Sequence, residues 1–314
     1  MPPAAAERNG RLTALVTGAA GFIGCNLVER LISDGWSVRG LDDERTGDWG
    51  RVKAEVDRVD GSLEVMSADE LQVLCGDVDV LFHLAAEKHN TPGVTADRTI
   101  EVNVAATARL FSAAGSVGVP KIVFTSSLYA YGSMGPDVMY EQDLPHPSTV
   151  YGVSKLAGEH LLRATERSYG VRWSVARLFF IYGPRQLAAG GYPSVVVRNF
   201  ERIARDEAPV VNGDGSQTLD YVFVEDCVEA LLRLGLGDHH GLTVNVASGT
   251  STSVNDLTAA MLAVTGSLLE PTAGPADWTA GSRRVGSPDL AAERLAWKTT
   301  TPLDEGLRRV WEAA

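Results

Sequence analysis

The stretch Gly18-Ala-Ala-Gly21-Phe22-Ile23-Gly24 constrains the fold more than any other part of the chain. It follows a β-branched, apolar run at Leu12–Thr17 and opens a segment of helical period at Phe22–Ser33. Glycines at such a junction allow a tight turn. Their missing side chains also let a pyrophosphate approach the first helix amides, those of Phe22 and Ile23, where the helix end carries positive partial charge. The GxxGxxG spacing differs from the simpler GxGxxG, so the strand–turn–helix context carries the reading. Downstream the same alternation repeats. Apolar runs at Ser37–Leu41, Val56–Val59, Val80–Leu84, Lys121–Ser126 and Trp173–Phe179 read as strands, and Ala68–Leu74, Thr95–Val117 and Val150–Tyr169 read as helical. This order predicts an α/β, doubly wound parallel sheet whose strand carboxyl ends lie along one edge.

After about Phe180 the texture changes to Gly/Pro-rich loops, at Tyr182-Gly-Pro-Arg185 and Asn212-Gly-Asp-Gly-Ser216. The expected organisation is a disordered leader over 1–10, a dinucleotide-binding domain over 11–179, and a smaller, mainly substrate-binding lobe over 180–314, some of whose segments return to the first core. The 314 residues carry 28 Lys plus Arg against 40 Asp plus Glu, a net charge of −12 that disfavours nucleic acid as a partner. Cys25, Cys75 and Cys227 are scattered without metal or redox spacing, which points to a reducing compartment, the cytoplasm. Arg8 and Arg11 precede an uncharged run from Leu12 to Val28, but its glycines and short length read as the strand–turn–helix rather than a secretory signal or a membrane span.

Several polar residues fall where this sheet would place chemistry. Asp42 closes the second strand, where a carboxylate accepts hydrogen bonds from both ribose hydroxyls of an adenosine and repels a 2′-phosphate. That selects NAD over NADP, with Asp43 as the substitute; the competing reading makes both of them cap or turn acids. Tyr151 and Lys155 stand four apart, so one helix face brings them together. Ser126 and Ser127 end a strand at the same sheet edge, where a hydroxyl would hydrogen-bond the substrate oxygen that Tyr151 serves. A nearby ammonium and a positive nicotinamide favour the phenolate, which would make Tyr151 a base.

Together Gly18xxGly21xxGly24, His83-Leu-Ala-Ala86, Asn103, Thr125-Ser-Ser127 with Tyr131-Gly132, Tyr151xxxLys155, Arg177 with Tyr182-Gly-Pro184, and Gly213-Asp-Gly215 resemble the extended short-chain dehydrogenase/reductases. More narrowly the chain is similar to their NAD-dependent nucleotide-sugar epimerases and dehydratases, from about Leu12 to Trp311. The resemblance implies a Rossmann-type domain holding NAD and a lobe closing over a nucleoside-diphosphate sugar, UDP- or dTDP-linked. It implies that Tyr151 takes a sugar hydroxyl proton, Lys155 holds the nicotinamide ribose, and Ser127 bonds the reacting oxygen. It places Asp60, with Gly61 and Ser62, at the adenine, and Leu84, Ala85 and Ala86 along the cofactor. Lys88 is either a diphosphate ligand or a solvated loop lysine, and Asn103 supports the site backbone or touches the cofactor. His83 and His89 lack metal spacing and read as core or loop residues. No metal is expected. A homodimer is implied, through a four-helix bundle of Thr95–Val117 and Val150–Tyr169.

The chain departs from the pattern in informative places. Where 4,6-dehydratases carry acids after the catalytic hydroxyl, it has Leu128 and Tyr129, so ordinary dehydration is disfavoured. Decarboxylases of nucleotide glucuronic acids have a Glu at the Tyr129 position and an Arg thirteen residues before the C-terminal Trp; Arg284 matches that Arg relative to Trp297, and the Glu is missing. C4 epimerisation needs no additional acid or base and is the expected reaction, with decarboxylation, ketoreduction and a dehydratase variant as alternatives. Phe180 and Leu219 replace residues that bind the nucleotide phosphates. Arg185, Arg198, Asn199, Arg283 and Arg284 remain as candidate ligands, and Tyr129 is a filler or a sugar contact.

Overall fold

The computed structural model describes residues 11–88, 93–132, 138–186, 194–277 and 279–313. The expected leader over 1–10 and His89 lie outside them. Five strands form the first part of the parallel sheet: β1 (Thr13–Thr17), β2 (Ser37–Asp42), β3 (Asp57–Asp60), β4 (Val80–His83) and β5 (Lys121–Ser127). The helices between and after them are α1 (Phe22–Ser33), α2 (Ala68–Cys75), α3 (Ala96–Ile100), α4 (Thr107–Ser116) and α5 (Val150–Tyr169). The stretch expected to be one helix over Thr95–Val117 carries a widened turn, a π-helix over Glu101–Ala106, between α3 and α4. Beyond α5 come β6 (Arg172–Leu178), β7 (Phe180–Tyr182), α6 (Val195–Ala204), β8 (Val210–Asn212), β9 (Thr218–Leu219), β10 (Tyr221–Phe223) and α7 (Val224–Leu236). The chain ends through β11 (Leu242–Val246), β12 (Thr252–Ser253), α8 (Val254–Thr265), β13 (Thr272–Gly274), β14 (Arg283–Arg284), α9 (Asp289–Leu295) and α10 (Leu303–Glu312).

The main sheet has the order β11-β6-β5-β4-β1-β2-β3, all parallel, as the repeated β-α-β alternation requires. Successive side chains along a strand point to opposite faces, and the two cores obey that period. Leu15, Leu81 and Ile122 join Leu71, Leu110, Phe111 and Leu162 on one face. Their neighbours Val16, Phe82 and Val123 join Leu27, Leu31, Leu231 and Trp297 on the other. The second face is completed by the C-terminal third of the chain, because β11 extends the sheet beside β6 and α7 covers it. Trp297 Nε1 donates to Asp226 O at 2.9 Å and pins the closing segment to α7. A separate core of Tyr182, Phe200, Phe223, Leu257, Met261 and Leu307 forms among α6, α8 and α10.

Strand order reverses between β1 and β4, so the loops leaving them diverge and open a crevice at the carboxyl edge. The glycine turn and Leu84–Ala86 meet there. Gly24 is required by this packing: a Cβ on it would lie 1.9 Å from Gly18 O.

Candidate active site

The crevice is a cleft of about 390 Å³, lined by Gly18, Gly21, Phe22, Ile23, Gly24 and Asp42, and beyond them by Asp43, Gly61 and Leu84–Ala86. The N-cap of α1 is Gly21, so among the described residues no side chain caps its first amides, and Phe22, Ile23 and Gly24 line the cleft. Asp42 Oδ2 accepts from Ala20 N at 3.0 Å and Oδ1 from Glu44 N at 2.8 Å. Those bonds fix the carboxylate at the cleft wall, while burial raises its pKa. Asp43 accepts from Arg45 N at 3.1 Å and from the Ser62 hydroxyl at 3.1 Å. An uncapped helix end, an acid at the close of β2 and a cradle that side chains would fill together suit a dinucleotide diphosphate and its adenosine ribose.

Three expected hydroxyl and amine groups converge at the other end. Thr149 caps α5 by accepting from Gly152 N at 3.0 Å. Gly152 lets the helix approach the turn after β5, since a Cβ there would lie 2.3 Å from Tyr129 O. Tyr151 is thereby hydrogen-bonded to the Ser127 side chain, and its ring meets that of Tyr129 edge-on at 5.7 Å. Lys155 Nζ donates to Thr125 O at 2.9 Å and lies 5.7 Å from the Tyr151 ring centroid. Burial pushes the Lys155 ammonium down to about 7 and pushes the Tyr151 phenol up, with the Ser127 bond acting the other way. Without the nicotinamide the net shift of the phenol is upward: burial and the neighbouring Tyr129 raise it more than the Ser127 bond lowers it, and Lys155 does not pull it down, contrary to the expectation from the lysine alone.

A second cavity of about 300 Å³ opens beyond these groups, walled by Tyr129, Phe180, Leu219 and Tyr221, with Arg198, Asn212 and Asp277 as polar members. Lys88, Ser127, Tyr151, Phe179, Ile181 and Ser194 line both spaces. The reactive hydroxyls thus sit at the junction of one cavity with the other. Phe180 and Leu219, noted above as replacements, make this wall apolar.

Five sequence candidates fall elsewhere. The Asp60 carboxylate is exposed and pairs with Arg58 at 2.6 Å, leaving Gly61–Glu64 as the cleft wall. Asn103 is buried beside the cleft, donating to Glu87 O at 3.0 Å and accepting from Glu87 N at 2.7 Å, which supports the loop after β4. Arg185 turns toward α1, bonding Asn26 at 2.5 Å and Glu29 at 2.7 Å. Asn199 is fully buried and spends its amide on Val210 N and O, tying α6 to β8. Arg284 lies against the Tyr129 ring, 5.5 Å from its centroid, behind the cavity wall. Asp60 is taken by Arg58 two residues away, and the other four are engaged by partners distant in the linear sequence. Tyr129 is hydrogen-bonded to Arg284, and burial raises its pKa to about 12.

Sequence reasoning also missed a polar belt at the adenosine end. Glu87 accepts from Arg45 at 2.5 Å and from Arg98 at 3.0 Å, and Arg98 pairs with Glu64. All four line the cleft. His83 is a core residue, held between the hydroxyls of Thr17 at 2.7 Å and Thr107 at 2.9 Å, and burial lowers its pKa to about 3. Among the described residues no His, Cys, Asp and Glu cluster suits a metal, and no helix is long and apolar enough to cross a membrane.

The chain is 35% identical over 317 residues to a UDP-glucose 4-epimerase of Mycolicibacterium smegmatis, covering 96% of this chain and 98% of the relative. It is 34% identical over 251 residues to UDP-glucuronic acid decarboxylase 2 of Arabidopsis thaliana, covering 76% of this chain and 54% of the relative. The crystal structure of a Thermotoga maritima UDP-glucose 4-epimerase with UDP-glucose superposes with a TM-score of 0.90 at 30% identity, over 96% of this chain and 98% of that one. The family model for the NAD dependent epimerase/dehydratase family matches residues 14–247. With the uncapped glycine turn, the acid after β2 and the Tyr151–Ser127 pair in one cleft, the chain belongs to that NAD-dependent family.

Proposed function

We propose that this protein is a nucleotide-sugar 4-epimerase that oxidises C4 of a UDP- or dTDP-linked sugar and reduces it again from the opposite face. The observation that carries the reading is the position of Ser127 and Tyr151 at the junction of a dinucleotide-shaped cleft and a second cavity of sugar size. When bound, NAD would supply the hydride acceptor for the oxidation and the hydride donor for the return. Tyr151 Oη takes the C4 hydroxyl proton as the base and gives it back to the reduced oxygen. Ser127 Oγ holds that oxygen, and Lys155 orients the nicotinamide ribose. The charge of a bound nicotinamide would oppose the burial that raises the Tyr151 phenol, which would couple proton removal by Tyr151 to cofactor binding. Lys88 and Arg198 are the cations that line the second cavity, where a sugar diphosphate would sit.

Tyr129 supports epimerisation over elimination, since a neutral phenol occupies the place where a dehydratase needs an acid. One observation favours a second reading, decarboxylation of a nucleotide glucuronic acid: buried Arg284 stands directly against Tyr129 at the wall of the sugar cavity. Incubation with UDP-glucose, UDP-galactose, UDP-glucuronate and their dTDP counterparts separates the two. Interconversion of C4 stereoisomers without carbon dioxide or net NADH is the expected result. Carbon dioxide release from the glucuronate alone selects the second reading, and stoichiometric NADH consumption with an added 4-keto nucleotide sugar selects a ketoreductase. The active form is proposed to be a cytoplasmic homodimer paired through α3–α4 and α5, with residues 11–179 as the cofactor domain and the later lobe holding the sugar.

A further inference from the structure

Between β2 and β3 the chain folds back over the glycine turn. Asp48 N donates to Ala20 O at 3.0 Å, and the Asp48 carboxylate caps a single tight turn at Trp49–Arg51 by accepting from Gly50 N at 2.8 Å. This loop delivers Arg51 to the cleft. Arg51 is 8% exposed, and its Nη1 donates to Arg185 O at 3.3 Å. Its Nε and Nη2 are buried with no hydrogen-bond partner, and no carboxylate pairs with it among the described residues. Neighbouring Arg185 is neutralised by Glu29 at 2.7 Å, so the local acid is already engaged.

A buried guanidinium with two unmet donors is costly and calls for an anion. Arg51 lines the cofactor cleft and not the second cavity, so the sugar diphosphate is the wrong anion. Arg51 bonds Arg185, whose guanidinium bonds Asn26 in α1, and the loop that carries Arg51 is tied through Asp48 to Ala20 of the glycine turn. That places it near the helix end rather than at the adenosine end lined by Asp43 and Ser62. Nε and Nη2 form one edge of the guanidinium, the fork that matches two oxygens of a phosphate.

We propose that Arg51 is a ligand of the cofactor's pyrophosphate, donating from its Nε–Nη2 edge and adding a full positive charge to the uncapped amides of α1. The inference concerns cofactor retention and stands whichever sugar reaction the enzyme performs. Its test is the affinity of the cofactor-stripped protein for NAD, ADP-ribose and adenosine, measured by calorimetry for Arg51→Gln and Arg51→Lys beside the unaltered chain. Arg51→Gln is expected to weaken NAD and ADP-ribose by at least about tenfold while adenosine, which lacks the pyrophosphate, binds as before. Arg51→Lys keeps the charge without the fork and is expected to fall between. The cofactor-free variants should melt no lower than the parent, since an uncompensated cation has been removed or made more flexible. NAD binding within twofold of the parent in both variants overturns the proposal, and so does an equal loss for adenosine.

Discussion

Removing Glu159 tests how firmly the catalytic edge is held. Its carboxylate is 1% exposed, accepts from Arg177 at 2.8 and 2.9 Å, and accepts from Ser126 Oγ at 2.6 Å. Arg177 in turn stacks on Tyr131 at 4.6 Å, and Tyr131 donates to Asn245 at 2.6 Å. One network therefore joins α5, β5, β6 and β11 directly beneath Ser127. Glu159→Leu strands the guanidinium of Arg177 in a dry site, and breaking a buried pair in this way costs about 3–5 kcal/mol. An unfolding entropy of about 2.1 cal/mol/K per residue over 314 residues is about 0.66 kcal/mol/K, so Tm is expected to fall by about 5–8 °C. Replacing both partners, as Glu159→Leu with Arg177→Met, leaves no stranded charge and is expected to recover most of that loss. Differential scanning calorimetry of the parent, both single variants and the double variant gives the coupling. A single variant that loses less than about 1 kcal/mol, or a double variant as unstable as the sum of the singles, would refute the view that an unpaired buried charge dominates.

Tyr151→Phe keeps the ring and deletes the proton carrier; turnover is expected to fall by roughly 10²–10⁴-fold while NAD content on purification is unchanged, and near-parental turnover would remove Tyr151 from the mechanism. Gly24→Ala puts a Cβ 1.9 Å from Gly18 O, so the turn must open; a loss of about 1–3 kcal/mol and weaker NAD binding are expected, measured by thermal melting and titration. Lys155 has its folded pKa depressed to about 7, so the unfolded chain binds more protons between about pH 7 and 10. Stability of the cofactor-free protein is therefore expected to rise with pH across that window, by at most about 1.4 kcal/mol per unit from this group. Lys155→Met should flatten that component in denaturant titrations, and an unchanged slope would show that the lysine is not desolvated.

Local periodicity made much of the fold legible. Strand and helix boundaries moved by a residue or two, as at Asp57–Asp60 and Arg172–Leu178, because hydrogen-bond register rather than hydropathy sets the ends. The pairing of Tyr151 with Lys155 was also legible, since a helix brings residues four apart to one face wherever it packs. The later lobe was harder to read. Its strands are only two or three residues long outside β11, too short for a period to show, and the entry of β11 into the main sheet depends on pairing with Arg172–Leu178 far back in the chain.

What the linear order determined by itself was the alternation of strands and helices, the glycine turn, and the shared helix face of Tyr151 and Lys155, which follow from spacings within one element or at one junction; Ser127 joins that pair only because α5 packs against the turn after β5. Tertiary structure alone decided which polar side chains are free to meet a ligand. Arg185 and Asn199 look available in sequence yet are engaged by Asn26, Glu29 and Val210, while Arg51, in an unremarkable loop, keeps two donors unspent. The physical reason is that a charged or amide group goes to its nearest partner in space, and for these residues that partner is set by folding distant segments together rather than by neighbours in the chain.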